Sequence, residues 1–156
     1  MRTLSITASD EEIKQLVRDW VWLLAEENYI QAVELISPEI PEGSGSVNSR
    51  QATQWSPELL RKVINNYGIP EPWEGQEQVY CVVPVTPSIQ GVFEDFLTVD
   101  REDDFESDDA DIGMIHVNLP LNYTDGDGLS DLTARFELCR INHNAMVLVL
   151  LDIHVL

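Results

Sequence analysis

"DLTARFELCRINHNAMVLVLLDIHVL", residues 131–156, decides the class of fold. Its first half alternates. Leu132, Ala134, Phe136 and Leu138 fall on one side and Thr133, Arg135, Glu137 and Cys139 on the other, the period of two expected of a strand with one buried face. "INHN" supplies a turn, and "AMVLVLLDIHVL" is a second strand, apolar on both faces and therefore expected at the centre of a sheet. Strict alternation along it places Met146, Leu148, Leu150, Asp152 and His154 on one face.

The segments upstream of this hairpin add further strands. "IGMIHVNLPLNY" (112–123) reads as one, with Pro120 marking an edge or a bulge because it cannot donate to a ladder. "GVFEDFLTV" (91–99) and Val79–Val83 read as two more. Before residue 70 the period is helical. Ser9 and Glu12 form a capping box ahead of the stripe Ile13, Leu16, Val17, Trp20, Val21 and Leu24. Tyr29, Ala32, Val33 and Ile36 continue as a short second helix, and "SPEIPEGSGSVNSRQATQ" (37–54) reads as a long polar loop. Ser56 and Pro57 then start a third helix along Leu60, Val63, Ile64 and Tyr67, with Gly68 placed to end it. Helices over about 9–67 precede strands over about 78–156, so the expected class is α+β in a single domain of residues 1–156, with N-terminal helices on one face of a curved antiparallel sheet.

Charge narrows the partners. The chain has 156 residues, 28 Asp and Glu against nine Lys and Arg, and a formal net charge of -19. Such a field repels phosphate backbones and anionic lipid, which excludes direct nucleic-acid and membrane-surface binding as expected functions, and it accelerates encounter with a basic protein. The longest apolar run, Ala145–Leu151, is too short to span a bilayer, and the N-terminus carries no apolar leader. Cys81 and Cys139 lie in apolar sequence without metal-ligand spacing and are expected to be buried free thiols, which suits the reducing cytoplasm.

The charge is concentrated in one stretch. Glu94, Asp95, Asp100, Glu102, Asp103, Asp104, Glu106, Asp108, Asp109 and Asp111 are opposed there by Arg101 alone, with Phe105 in their midst. As a calcium loop it fails: counted from Asp100, the sixth residue is Phe105 where glycine belongs and the twelfth is Asp111 where glutamate belongs. "TDGDGLSD" fails too, since Leu129 follows Asp125 and Asp127 where a ligand is needed. No metal or cofactor is expected. A solvated loop would explain the carboxylates, but solubility needs no aromatic; a docking surface with one apolar anchor explains Phe105 as well. Phe93 and Phe96 are expected to pack within a strand, while Trp55 and Trp73 read either as exposed aromatics or as plugs at the ends of the core.

Catalytic patterns are sparse. There is no G-x-S-x-G and no phosphate-cradling glycine loop. His116, Asp152 and His154 are the candidates for acid–base work, with Asp152 and His154 two residues apart on one strand face.

The order of helices and strands resembles the cystatin-like roll of the nuclear transport factor 2-like superfamily. Together with the acidity, "SDLTARFEL" (130–138) and the terminal "LDIHVL" (151–156) are similar to small bacterial immunity proteins encoded beside polymorphic or contact-dependent toxins. That resemblance implies a non-enzymatic cytoplasmic protein that neutralises a basic toxin domain, with nucleases a natural class because they must be basic to hold nucleic acid. The superfamily also hosts enzymes and ligand binders, for which His116, Asp152 and His154 would serve.

Overall fold

The computed structural model describes residues 2–36, 53–101, 111–124 and 128–155. The first helix, α1 (Asp10–Ala25), starts where its cap requires: Ser9 Oγ accepts from the Glu12 backbone N–H at 3.2 Å, and the Glu12 carboxylate accepts from the Ser9 N–H at 2.7 Å. Both bonds satisfy amides that the first turn leaves open. Its stripe Ile13, Leu16, Val17, Trp20, Val21 and Leu24 is buried. Asn28 caps α2 (Tyr29–Leu35) by accepting from the Gln31 N–H, and Ser56 caps α3 (Pro57–Asn65) by accepting from the Leu59 N–H. Beyond α3 the left-handed conformation is taken first by Tyr67, at φ 58°, and then by Gly68, at φ 101°, whose N–H returns to the Val63 carbonyl at 2.8 Å. Gly68 also lies against the sheet, since a Cβ there would meet Leu132 Cδ1 at 3.2 Å.

The sheet is antiparallel and curled, in the order β1 (Leu4–Ser5), β5 (Ala145–Val155), β4 (Leu132–Arg140), β3 (Asp111–Asn118), β2 (Thr98–Arg101). Helices pack on one of its faces. Trp20 of α1 meets Phe136 of β4 edge to face, with ring centroids 4.9 Å apart and an interplanar angle of 85°. Ile115, Val117, Ala134, Phe136, Leu138, Met146 and Leu150 are all 0% exposed in the same cluster, so the concave side is filled with side chains. The architecture is the α+β roll expected from the order of helices and strands, consistent with a cystatin-like, nuclear transport factor 2-like fold.

Several local expectations change. Val79–Val83 forms no strand: Val82 makes an isolated bridge to Leu121, and the Asn122 side chain accepts from the Cys81 N–H and donates to the Val79 carbonyl. Pro84 and Pro120, without N–H donors, keep that bridge from extending into a ladder. Residues 91–99 are not one strand either. They divide between α4 (Gln90–Asp95) and β2: a strand would place Asp95 on the same face as Phe93 and Leu97, whereas the helical turn buries Phe93 and Leu97 with Ile89 and leaves Asp95 exposed and Phe96 52% exposed. The strand placed over 112–123 stops at Asn118, before Pro120. The last strand is apolar on both faces as expected, but β4 holds the central place. β5 is flanked outside by the two residues of β1 alone, and its far face is occupied by a smaller buried cluster of Cys139, Val147, Val149 and Leu151. Cys139 is a buried thiol; Cys81 is half-buried, and burial pushes its thiol upward in pKa.

Trp55 is a plug. It is 5% exposed, and its indole Nε1 donates to the Leu150 carbonyl at 2.8 Å, covering the side of β5 that β1 leaves open. Trp73 is 41% exposed and lies 6.4 Å from the Tyr80 ring.

Candidate functional site

The face of the sheet turned from the helices carries a polar cluster that the topology assembles from four strands. Thr98, His116, Arg135 and Asp152 form one continuous row of cross-strand partners from β2 to β5, and His154 sits in the next row opposite Thr133. Strict alternation would have put Asp152 on the core side with Leu150. A bulge prevents this: Phe136 pairs with Leu150 and Arg135 with Asp152, leaving Leu151 as the extra residue. The bulge turns Asp152 and His154 to the outer face, while Met146, Leu148 and Leu150 keep the inner one, so the five do not share a face.

Once there, Asp152 becomes the hub. Arg135 binds it with two nitrogens, Nε at 3.1 Å to Oδ1 and Nη2 to Oδ2, and His154 Nδ1 lies 2.7 Å from Oδ1. Burial alone would raise the Asp152 carboxyl; the hydrogen bonds from Arg135 and His154 outweigh it and hold the group below the usual carboxylate range. Arg135 is shifted further up by its bond to Asp152. His116 is half-buried beside them, and burial, followed by the positive charge of Arg135, pushes its pKa down. The sequence named His116, Asp152 and His154; it missed Arg135, whose one signal in the chain was its place on the non-core side of β4 with Thr133, Glu137 and Cys139. Among the described residues no group of three or more His, Cys, Asp or Glu side chains is arranged to hold a metal ion.

The direction of the His116 shift has a consequence for stability. Its folded pKa lies below the unfolded value of about 6.5, so the unfolded chain binds the extra proton first as pH falls. His116 therefore contributes stability above that value, and the contribution declines as pH drops below it. Melting curves between about pH 5 and pH 8 should show wild type losing more stability on acidification than His116→Asn. Parallel curves for the two proteins would rule out this source of acid sensitivity.

The acidic stretch is spread over several elements. Glu94 and Asp95 end α4, Asp100 is exposed on β2, and Asp111 opens β3; Glu102, Asp103, Asp104, Phe105, Glu106, Asp108 and Asp109 lie outside the described residues, as do Asp125 and Asp127 of the second calcium-like motif. Glu94 is committed inside the fold, its two oxygens accepting from Arg18 Nε at 2.7 Å and Nη2 at 2.8 Å. Arg101 bends back to donate to the Ala8 carbonyl at 2.9 Å and lies 3.6 Å from Asp10. No helix among the described residues is long and apolar enough to cross a membrane. The chain matches no protein-family model, no curated protein and no solved structure.

Proposed function

We propose that this chain is a cytoplasmic immunity protein that binds a basic bacterial toxin domain, of nuclease type, and blocks it by stoichiometric occlusion. The observation that carries this is the charge, 28 carboxylates against nine Lys and Arg, with the densest run between Glu94 and Asp111. A nuclease must present cations to hold its substrate, and an acidic surface can occupy those same cations without any chemistry. The filled interior of the roll supports binding over catalysis: where an enzyme of this architecture needs a cavity between helices and sheet, Trp20 and Phe136 stand in contact.

The test uses the product of the reading frame immediately upstream, which for an immunity protein should be a larger chain with a toxin-like C-terminal domain. Association rates of the two purified proteins, measured from low to physiological salt and beyond, should fall by about tenfold or more. A flat profile would remove electrostatic steering, and absence of a complex would remove the partner.

The assembled His116, Arg135, Asp152 and His154 cluster favours a second function, that of an enzyme or small-ligand binder working on the outer sheet face. In that case Asp152→Asn and His154→Ala would be the damaging substitutions, with the acidic stretch indifferent.

A further inference from the structure

Helix α1 has a second stripe. Arg18, Trp22 and Ala25 recur at three- and four-residue steps on a side of the helix distinct from its core-facing residues, and they form one wall of a groove of about 320 Å³. Val85 and the α4 residues Phe93 and Glu94 form the other wall. The volume lies near the lower end of the range of ligand clefts, about 300–1,000 Å³, enough for a few side chains of a partner. Trp22 is the conspicuous member, 57% exposed on an otherwise polar helix surface.

The electrostatics of the rim choose the occupant. Arg18 is held by Glu94 through two bonds and by Glu11 at 2.7 Å, which also draws the Glu11 carboxyl below its usual range. Its guanidinium is therefore already matched to carboxylates and is poorly placed to receive an acidic ligand. Of the charged residues that line the groove, two are carboxylates, Asp19 and Glu94, and one is a guanidinium, Arg18; outside the lining, Arg2 meets Asp19 at 3.2 Å and Lys14 lies near Glu11, while the chain as a whole carries 28 carboxylates against nine Lys and Arg. An indole face beside excess negative charge suits a cation carried on an apolar stem: the ammonium or guanidinium lies over the ring while the methylenes and a neighbouring apolar residue fill the cleft.

We infer that the groove between α1 and α4 is a docking site for an apolar, lysine- or arginine-bearing segment of the basic partner. This rests on the function proposed above and adds a second contact, on the helical side of the molecule. Arg18 and Glu94 build the rim, and Trp22 is the anchor.

Two short probes test it: the capped pentapeptides Leu-Lys-Leu-Lys-Leu and Ser-Lys-Ser-Lys-Ser, equal in charge and different in apolar content. Titrations at low salt would be followed through the indole N–H resonances of the four tryptophans. The leucine peptide should shift the Trp22 resonance and bind about tenfold or more tightly than the serine peptide, and Trp22→Ala should abolish that difference. Val85→Trp, which fills the cleft from the opposite wall, should do the same while the resonances of Trp20 and Trp55 report an intact core. Equal binding of both peptides, unaffected by either variant, would overturn the groove while leaving the basic-partner function supported by the field of the whole chain. Failure of both peptides to bind would overturn the two together. A Trp22 shift that depends on protein concentration without peptide would identify a second copy of this chain as the occupant and overturn the proposal as well.

Discussion

Truncating Phe136 to alanine is expected to destabilise the protein by about 3–5 kcal/mol, the range for removing a large aromatic ring from a well-packed core. Phe136 is 0% exposed at the middle of the central strand β4, with Ile115 and Leu150 as its cross-strand partners and the Trp20 ring in perpendicular contact with its own. The substitution removes both the transfer energy of the ring and the helix-to-sheet contact that closes the roll, and the flanking strands are tied by their ladders and cannot fully collapse into the space. Denaturant unfolding of wild type, Phe136→Leu and Phe136→Ala would measure it. Phe136→Leu should lose less, because it keeps part of the volume. A loss below about 1 kcal/mol for alanine would mean that the interior is loosely filled, and would revive the case for a ligand cavity between helices and sheet.

The second large effect concerns Phe105. If the acidic stretch docks a basic toxin, Phe105→Ala should weaken the complex by roughly 2 kcal/mol or more, mainly by faster dissociation, as expected when an apolar anchor leaves its pocket. Replacing Asp103, Asp104, Asp108 and Asp109 by Asn should act differently and slow association. If these residues serve docking, their replacement should change stability by less than about 0.5 kcal/mol, so the melting temperature should hold in both variants. Kinetic binding measurements against the upstream gene product separate the two effects. Wild-type rates in both would reduce residues 102–111 to a solvated connection and leave the groove beside Trp22 as the remaining candidate surface.

Local chemistry makes part of the fold legible in the chain alone. The caps of α1 and α3 and the facing of alternate residues in β4 are set by near neighbours, and the folded protein keeps all three, although the expected single buried face of β4 becomes two, with Thr133, Glu137 and Cys139 at 0% exposed. Where two periods compete, local pattern misleads. In residues 89–99 the apolar and aromatic content favours a strand, yet Ile89, Phe93 and Leu97 also satisfy a helical repeat, and the helix is the arrangement that buries these three without Asp95 beside them. The long-range roles of the aromatics are equally hidden. Nothing near Trp55 in sequence reveals that its indole meets the Leu150 carbonyl, 95 residues away.

The sequence by itself determined that this protein is acidic, that the helices precede the long strands, and where the main helices begin, because composition, caps and periodicity are properties of neighbouring residues; the two-residue strand β1, ahead of α1, carries no such local signal. Tertiary structure decided what those elements bring together. The extra residue Leu151 in β5 reverses the expected facing of Asp152 and His154, and cross-strand register, not sequence spacing, joins them to Arg135 and His116. The pairing of Arg18 with Glu94 across 76 residues likewise closes one side of the groove. Both sites depend on which strand or helix lies beside which, a choice made by burial of the whole core and invisible to any local window of the chain.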